Sequence, residues 1–85
     1  MRRRRSPSRG WHRVAPRTKA ERATMPAKCF LDSKRRKYPV CAVGSRKVDC
    51  RGVEAALARA AQRHHSKLVA KARRLGARSH CSWMR

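Results

Sequence analysis

Acidic residues are almost missing from this chain. Its 85 residues include four, Glu21, Asp32, Asp49 and Glu54, against 25 Lys and Arg. So few carboxylates leave almost no foothold for acid–base catalysis. No Ser-His or His-Cys arrangement and no Gly-rich phosphate loop makes up for them. Aromatics are also scarce, with one Phe, one Tyr and two Trp, and no aromatic RNA-binding signature is present. No apolar run approaches the roughly 20 residues of a membrane span. The positive N-terminus has no apolar segment behind it, so neither membrane insertion nor secretion by a signal peptide is expected. A Cys-x2–4-Cys pair is missing as well, which argues against a zinc site built from Cys29, Cys41, Cys50 and Cys81 with nearby histidines. The expectation is therefore no enzyme, no metal and no cofactor.

What is abundant is positive charge, a formal +21. Such an excess repels itself in any compact state, so it points to a polyanionic partner. The candidates are nucleic acid, bound through counterion release with little sequence preference, an anionic membrane surface, or an acidic protein face. The four cysteines would suggest two disulfides in a secreted chain. Without a signal peptide, reduced thiols acting as small buried hydrophobes are expected instead.

Residues 1–28 read as a disordered Arg-rich arm. Three prolines and few apolar anchors cannot offset the entropy of ordering. Arg2, Arg3, Arg4, Arg5, Arg9, Arg13 and Arg17 are its candidate phosphate contacts, since guanidinium is always charged and binds two oxygens at once. Phosphate on Ser6 or Ser8 would weaken them.

Residues 29–40 form the joint between arm and domain. Lys34, Arg35, Arg36 and Lys37 make the densest internal cationic run, which also fits a nuclear import signal. Phe30, Leu31, Tyr38 and Val40 flank it as core or interface residues. Asp32 is placed to cap a turn or to pair with Lys34 or Arg35. Pro39 restricts Tyr38 to an extended conformation. A short hairpin is expected over Val40–Val43 and Arg46–Val48, turning at Gly44-Ser45.

Two helical patterns follow. Asp49 is the expected N-cap of the first, with Val53, Ala56, Leu57, Ala60 and Ala61 on one face. Ser66 is the expected N-cap of the second, Leu68, Ala72 and Leu75 its stripe, and Gly76 its left-handed terminus. His64-His65 would make the tight link of an αα-hairpin. Lys67, Lys71, Arg74 and Arg78 form a row opposite the leucines. A like-charged row costs a few tenths of a kcal/mol per pair unless an anion lies along it. The second helix carries no Asn or Gln for reading adenine, so sequence-specific DNA recognition is not expected. The fold class is thus mainly α: a disordered arm, a short extended or hairpin segment, a two-helix αα-hairpin within a module over 29–76, and a loose tail over 77–85. Val53, Leu57, Leu68 and Leu75 would hold the module or its interface. A core near the ~40-residue limit predicts marginal stability alone.

The run Cys29-Phe30-Leu31-Asp32, Lys37-Tyr38-Pro39-Val40-Cys41, Cys50-Arg51-Gly52-Val53, Ala55-Ala56, Arg59-Ala60 and Lys71-Ala72-x-x-Leu75 resembles a small module of virion-associated proteins of large DNA viruses and tailed phages. The resemblance covers about residues 29–75. It implies a non-enzymatic structural role as a minor capsid or core component that docks on another coat protein, located in the virion and, before assembly, in the host nucleus or cytoplasm. The alternatives from composition are a protamine-like or histone-tail-like condensing protein and a small basic ribonucleoprotein subunit.

Overall fold

A computed structural model describes residues 8–82. In order along the chain it has helix α1 (Trp11–Val14), helix α2 (Lys19–Ala23), a 3-10 turn (Ala27–Cys29), strands β1 (Phe30–Asp32) and β2 (Lys37–Pro39), and two long helices, α3 (Cys50–Gln62) and α4 (Ser66–Arg78). The protein is mainly helical with one small antiparallel sheet, in which Phe30 pairs with Pro39 and Asp32 with Lys37. That sheet lies between the expected joint and the helices, with β1 against α4 and β2 against α3. The hairpin expected over 40–48 is reduced to one bridge between Cys41 and Val48. Its turn falls where expected, at Gly44 with φ 77°.

The helix starts follow from capping chemistry. Asp49 accepts a hydrogen bond from Arg51 N at 2.9 Å and pairs with the Arg51 guanidinium at 2.7 Å, fixing the first turn of α3. Thr18 and Glu21 form a reciprocal capping box on α2, which satisfies two otherwise orphaned N–H groups. The cap of α4 is His65, one residue before the expected Ser66, and its side chain makes no capping bond.

Both long helices end in the same way. After α3, His64 takes φ 59°, and the N–H groups of His64 and His65 bond to Ala61 O and Ala60 O. After α4, His80 takes φ 55°, and the N–H groups of His80 and Cys81 bond to Ala77 O and Gly76 O. These are paired Schellman closures with histidine in the left-handed seat that glycine usually fills. The sequence predicts that α4 ends at Gly76, and it does not. Gly76 lies buried inside the helix, which runs on to Arg78.

Four further expectations change. The cysteines are not free thiols: Cys29 bonds Cys41 and Cys50 bonds Cys81. The strand pairing draws the first two Cα atoms to 5.1 Å, and the three-residue link brings the start of α3 to 5.5 Å from the chain just beyond α4. That second bond also ties down residues 79–82, within the stretch 77–85 expected to be a loose tail, of which residues 83–85 lie outside the described residues. Residues 8–28 are not a free arm either. Trp11, Pro16 and Met25 are buried, and the indole lies so close to Gly52 that a Cβ there would stand 2.6 Å from it. The arm expectation overlooked how far one large aromatic can anchor a short segment. The arginines Arg2 to Arg5 lie outside the described residues. Finally, Tyr38 is not extended: it sits at φ 60° with its ring buried, edge-on to His65 at 6.2 Å between centroids.

The core joins Phe30, Leu31, Tyr38, Val40, Val53, Ala56, Ala60 and Ala72 to Met25 and the Cys29–Cys41 bond, with Val48, Leu57, Leu68, Val69 and Leu75 packed at its edge. The small residues let helices and sheet approach closely, at the cost of little apolar area. The two disulfides supply what so small a core does not.

Candidate nucleic-acid interface

The β1–β2 turn and α4 face each other across an open groove of about 680 Å³. From the turn side come Lys34, Arg35 and Lys37, and from the helix side Arg63, Lys67, Lys71 and Arg74. All seven are exposed. Leu31, Tyr38 and Leu68 line the groove between them. The i, i+4, i+7 spacing puts Lys67, Lys71 and Arg74 on one helical face. Because β1 packs on α4, that face meets the cationic turn. Two runs thirty residues apart in sequence, 34–37 and 67–74, thus become two walls of one site. Lys71 joins them physically, its Nζ donating to Leu31 O at 2.7 Å.

One acid, Asp32, lines the groove. Its Oδ1 accepts from Arg35 N at 3.2 Å, so it caps the turn as expected from sequence. Local charge therefore stays strongly positive. The groove presents ammonium and guanidinium groups, which suit phosphate or carboxylate oxygens. Two rings line the groove: Tyr38 is only 8% exposed, too little to serve as a base-stacking platform, and His65 is exposed.

Not every predicted contact belongs to the groove. Arg36 turns inward. Its guanidinium donates to Arg22 O and Met25 O at 3.0 and 2.5 Å and lies 5.6 Å from the centroid of the Phe30 ring. It holds the turn against residues 22–25 and is a structural residue rather than an anion contact. Arg78 lies one turn beyond, bordering a shallow surface with Lys71 and Arg74, and extends the row. Arg9 and Arg13 are exposed away from the groove lining. Arg17 donates from its guanidinium to His12 O, while its backbone N–H donates to Glu21 Oε1 at 2.9 Å. Of the residues sequence reasoning missed, Arg63 and His65 matter most. They sit in the link between α3 and α4, where neither helix periodicity nor the cationic runs could single them out.

Two carboxylates are held below their ordinary range. Asp49 is lowered chiefly by the Arg51 side-chain hydrogen bond. Glu21 is lowered chiefly by the backbone N–H of Arg17 and then that of Thr18. Both serve helix starts. Among the described residues no cluster of three or more His, Cys, Asp or Glu is placed to hold a metal ion. Likewise, no described helix is long and apolar enough to cross a membrane. No protein-family model, curated protein or solved structure matches this chain.

Proposed function

We propose that this protein is a non-enzymatic structural component of a DNA-virus particle that holds packaged nucleic acid by its phosphates. The observation that carries the nucleic-acid part is the convergence of the Lys34/Arg35/Lys37 turn and the Lys67/Lys71/Arg74 row on one groove whose single acid is committed to a backbone N–H. A groove of this kind grips a phosphate chain from two sides without reading bases. The particle setting rests on the resemblance of residues 29–75 to virion-associated modules. In that setting α3 and α4 act as a two-helix hairpin, and its part-buried Leu57, Leu68 and Leu75 are available to a neighbouring coat or core protein. The two disulfides suit a particle that spends time outside the reducing cytosol. The chain resides in the host nucleus or cytoplasm before assembly, and Arg2 to Arg5 add sequence-independent phosphate contacts.

A folded groove also separates this reading from protamine-like condensation, which needs net charge and no fold. The test is fluorescence anisotropy with a short DNA duplex across a salt series. The variant Lys67→Gln/Arg74→Gln removes two groove cations and spares Lys71, whose strut belongs to the fold. The slope of log affinity against log salt is expected to shallow by about 2. The same charge removed from the loop, Arg46→Gln/Lys47→Gln, should change it by less than half as much. Equal slopes for the two variants would mean that net charge alone binds, and the groove reading would fail.

A further inference from the structure

A second cationic cleft lies on the other side of strand β2. Tyr38 lines the groove just described, and Pro39, the next residue, lines this cleft. The two share no lining residue, so one strand is the wall between them. The cleft holds about 230 Å³. Its apolar surfaces are Trp11, Pro16 and Pro39, and its cations are Arg17, Arg22 and Arg59, with no acid among its lining residues.

The arginines here differ from the groove lysines in how they are held. Arg22 donates from Nε to Pro16 O at 3.1 Å and from Nη1 to Arg36 O at 3.2 Å. Arg17 donates to His12 O. These acceptors are neutral carbonyls, so they fix the guanidinium groups in place without cancelling their charge. Each guanidinium has five N–H donors, and these bonds use two of Arg22's and one of Arg17's. Glu21, next to Arg22 in the chain, accepts from the backbone N–H groups of Arg17 and Thr18 and does not line the cleft. Arg59 stands exposed on α3 at the rim. Glu21 offsets part of the Arg17 charge, while no carboxylate lines the cleft beside Arg22 and Arg59; positioned arginines beside a rigid apolar floor make a preorganised phosphate site.

We infer that this cleft takes a phosphodiester segment of its own, so that one molecule bridges two lengths of duplex DNA, one in the groove and one in the cleft. The inference rests on the groove reading for its first contact. It adds a mechanical role, since a bivalent clip draws neighbouring duplex segments together, whereas a monovalent binder only coats them. Binding of the second segment by a molecule already on DNA is favoured by the high local concentration of packaged genome.

The experiment uses full-length, oxidised protein and two duplexes of the same sequence, one on beads and one fluorescent. Capture of the free duplex by the bead-bound one reports bridging, and anisotropy with a single duplex reports the first contact. Arg59→Glu is expected to cut capture by about tenfold or more while single-duplex affinity falls less than about threefold. Arg46→Glu, an equal charge change on an exposed loop, should leave both within about threefold of the parent protein. Equal effects of the two variants on capture would overturn the inference. So would capture that survives Arg59→Glu but is lost when Arg2 to Arg5 are replaced by Gln, which would place the second contact in the N-terminal stretch. Light scattering that shows a dimer without DNA, together with capture insensitive to Arg59→Glu, would assign bridging to self-association and also overturn it. Failure of the groove reading shows separately, as single-duplex affinity indifferent to Lys67→Gln/Arg74→Gln.

Discussion

Replacing Gly52 by Ala sets two effects of opposite sign against each other. Gly52 lies in the first turn of α3, and Ala there should favour the helix by about 0.5–1 kcal/mol. Yet the new Cβ would stand 2.6, 2.8 and 2.9 Å from Cη2, Cζ2 and Cζ3 of Trp11. Real Cβ atoms do not approach that closely, so the ring must move or leave. Shifting it within the site is an overpacking event of about 1–3 kcal/mol. Releasing it altogether forfeits burial of about 150–250 Å², or roughly 4–6 kcal/mol at 25 cal/mol/Å². The cheaper route prevails. The net expectation is a loss of about 1–2 kcal/mol, which for a chain of this size lowers the melting temperature by roughly 4–16 °C. The assay is urea and thermal denaturation followed by tryptophan emission, in a Trp83→Phe background that leaves Trp11 as the single indole. Emission should move to longer wavelength in Gly52→Ala. In a Trp11→Ala background, followed by circular dichroism, the same substitution should become stabilising, because only the helix contribution remains. If Gly52→Ala instead stabilises the parent protein and leaves its emission unchanged, residues 8–28 do not pack on α3, and the free-arm reading of the sequence was right.

Three more outcomes follow from the geometry. The disulfides close loops of sequence separation 12 and 31, worth about 3 and 4 kcal/mol in the chain-entropy account; a phosphine reductant should abolish the cooperative circular-dichroism melt, and an unchanged melt with four titrated thiols would contradict this. His80→Gly, at φ 55°, should raise stability by up to about 1 kcal/mol by relieving the left-handed seat, measured as an upward shift of the urea midpoint. The Asp49 carboxyl is held below its ordinary 3.8, so its stabilisation is present above that pH and lost as pH falls through the folded pKa; Asp49→Ala should cost about 1 kcal/mol near neutrality, with the gap to the parent closing below pH 3.8 in an acid melt series, and a gap that stays constant down to strong acid would refute the assignment.

The sequence carried the long-helix pattern well, because 3.6-residue periodicity and the Asp49 cap are local signals. Val53, Ala56, Ala60 and Ala72 fall in the core for that reason. Phe30, Leu31, Tyr38 and Val40 were legible as the scarce bulky apolar residues. The sheet was misplaced, because Val40–Val48 shows the better strand composition while three-residue β1 and β2 depend on packing against α3 and α4. The disulfides were not legible, since a positive run with no apolar segment behind it argued for thiols and no spacing shows which Cα atoms will meet. Arg36 looked like its cationic neighbours, yet a left-handed turn residue (φ 51°) points inward. The groove itself was half legible. Each cationic run stood out alone, but nothing in one run shows that it will face the other.

The arrangement of the two cross-links has a consequence for how the protein matures. Their loops follow one another along the chain without overlapping, one of three connectivities open to four cysteines. Neither bond requires threading through the other. The shortest loop open to the chain is a different one, Cys41 to Cys50, nine positions apart. Chain entropy alone would favour that wrong pair. What disfavours it is the β1–β2 register, which brings Cys29 to Cys41, and the α3 cap at Asp49, which directs Cys50 into a helix. Correct oxidation is therefore a product of folding rather than its cause. A chain oxidised in denaturant should collect the Cys41–Cys50 species, and a chain oxidised after folding should not.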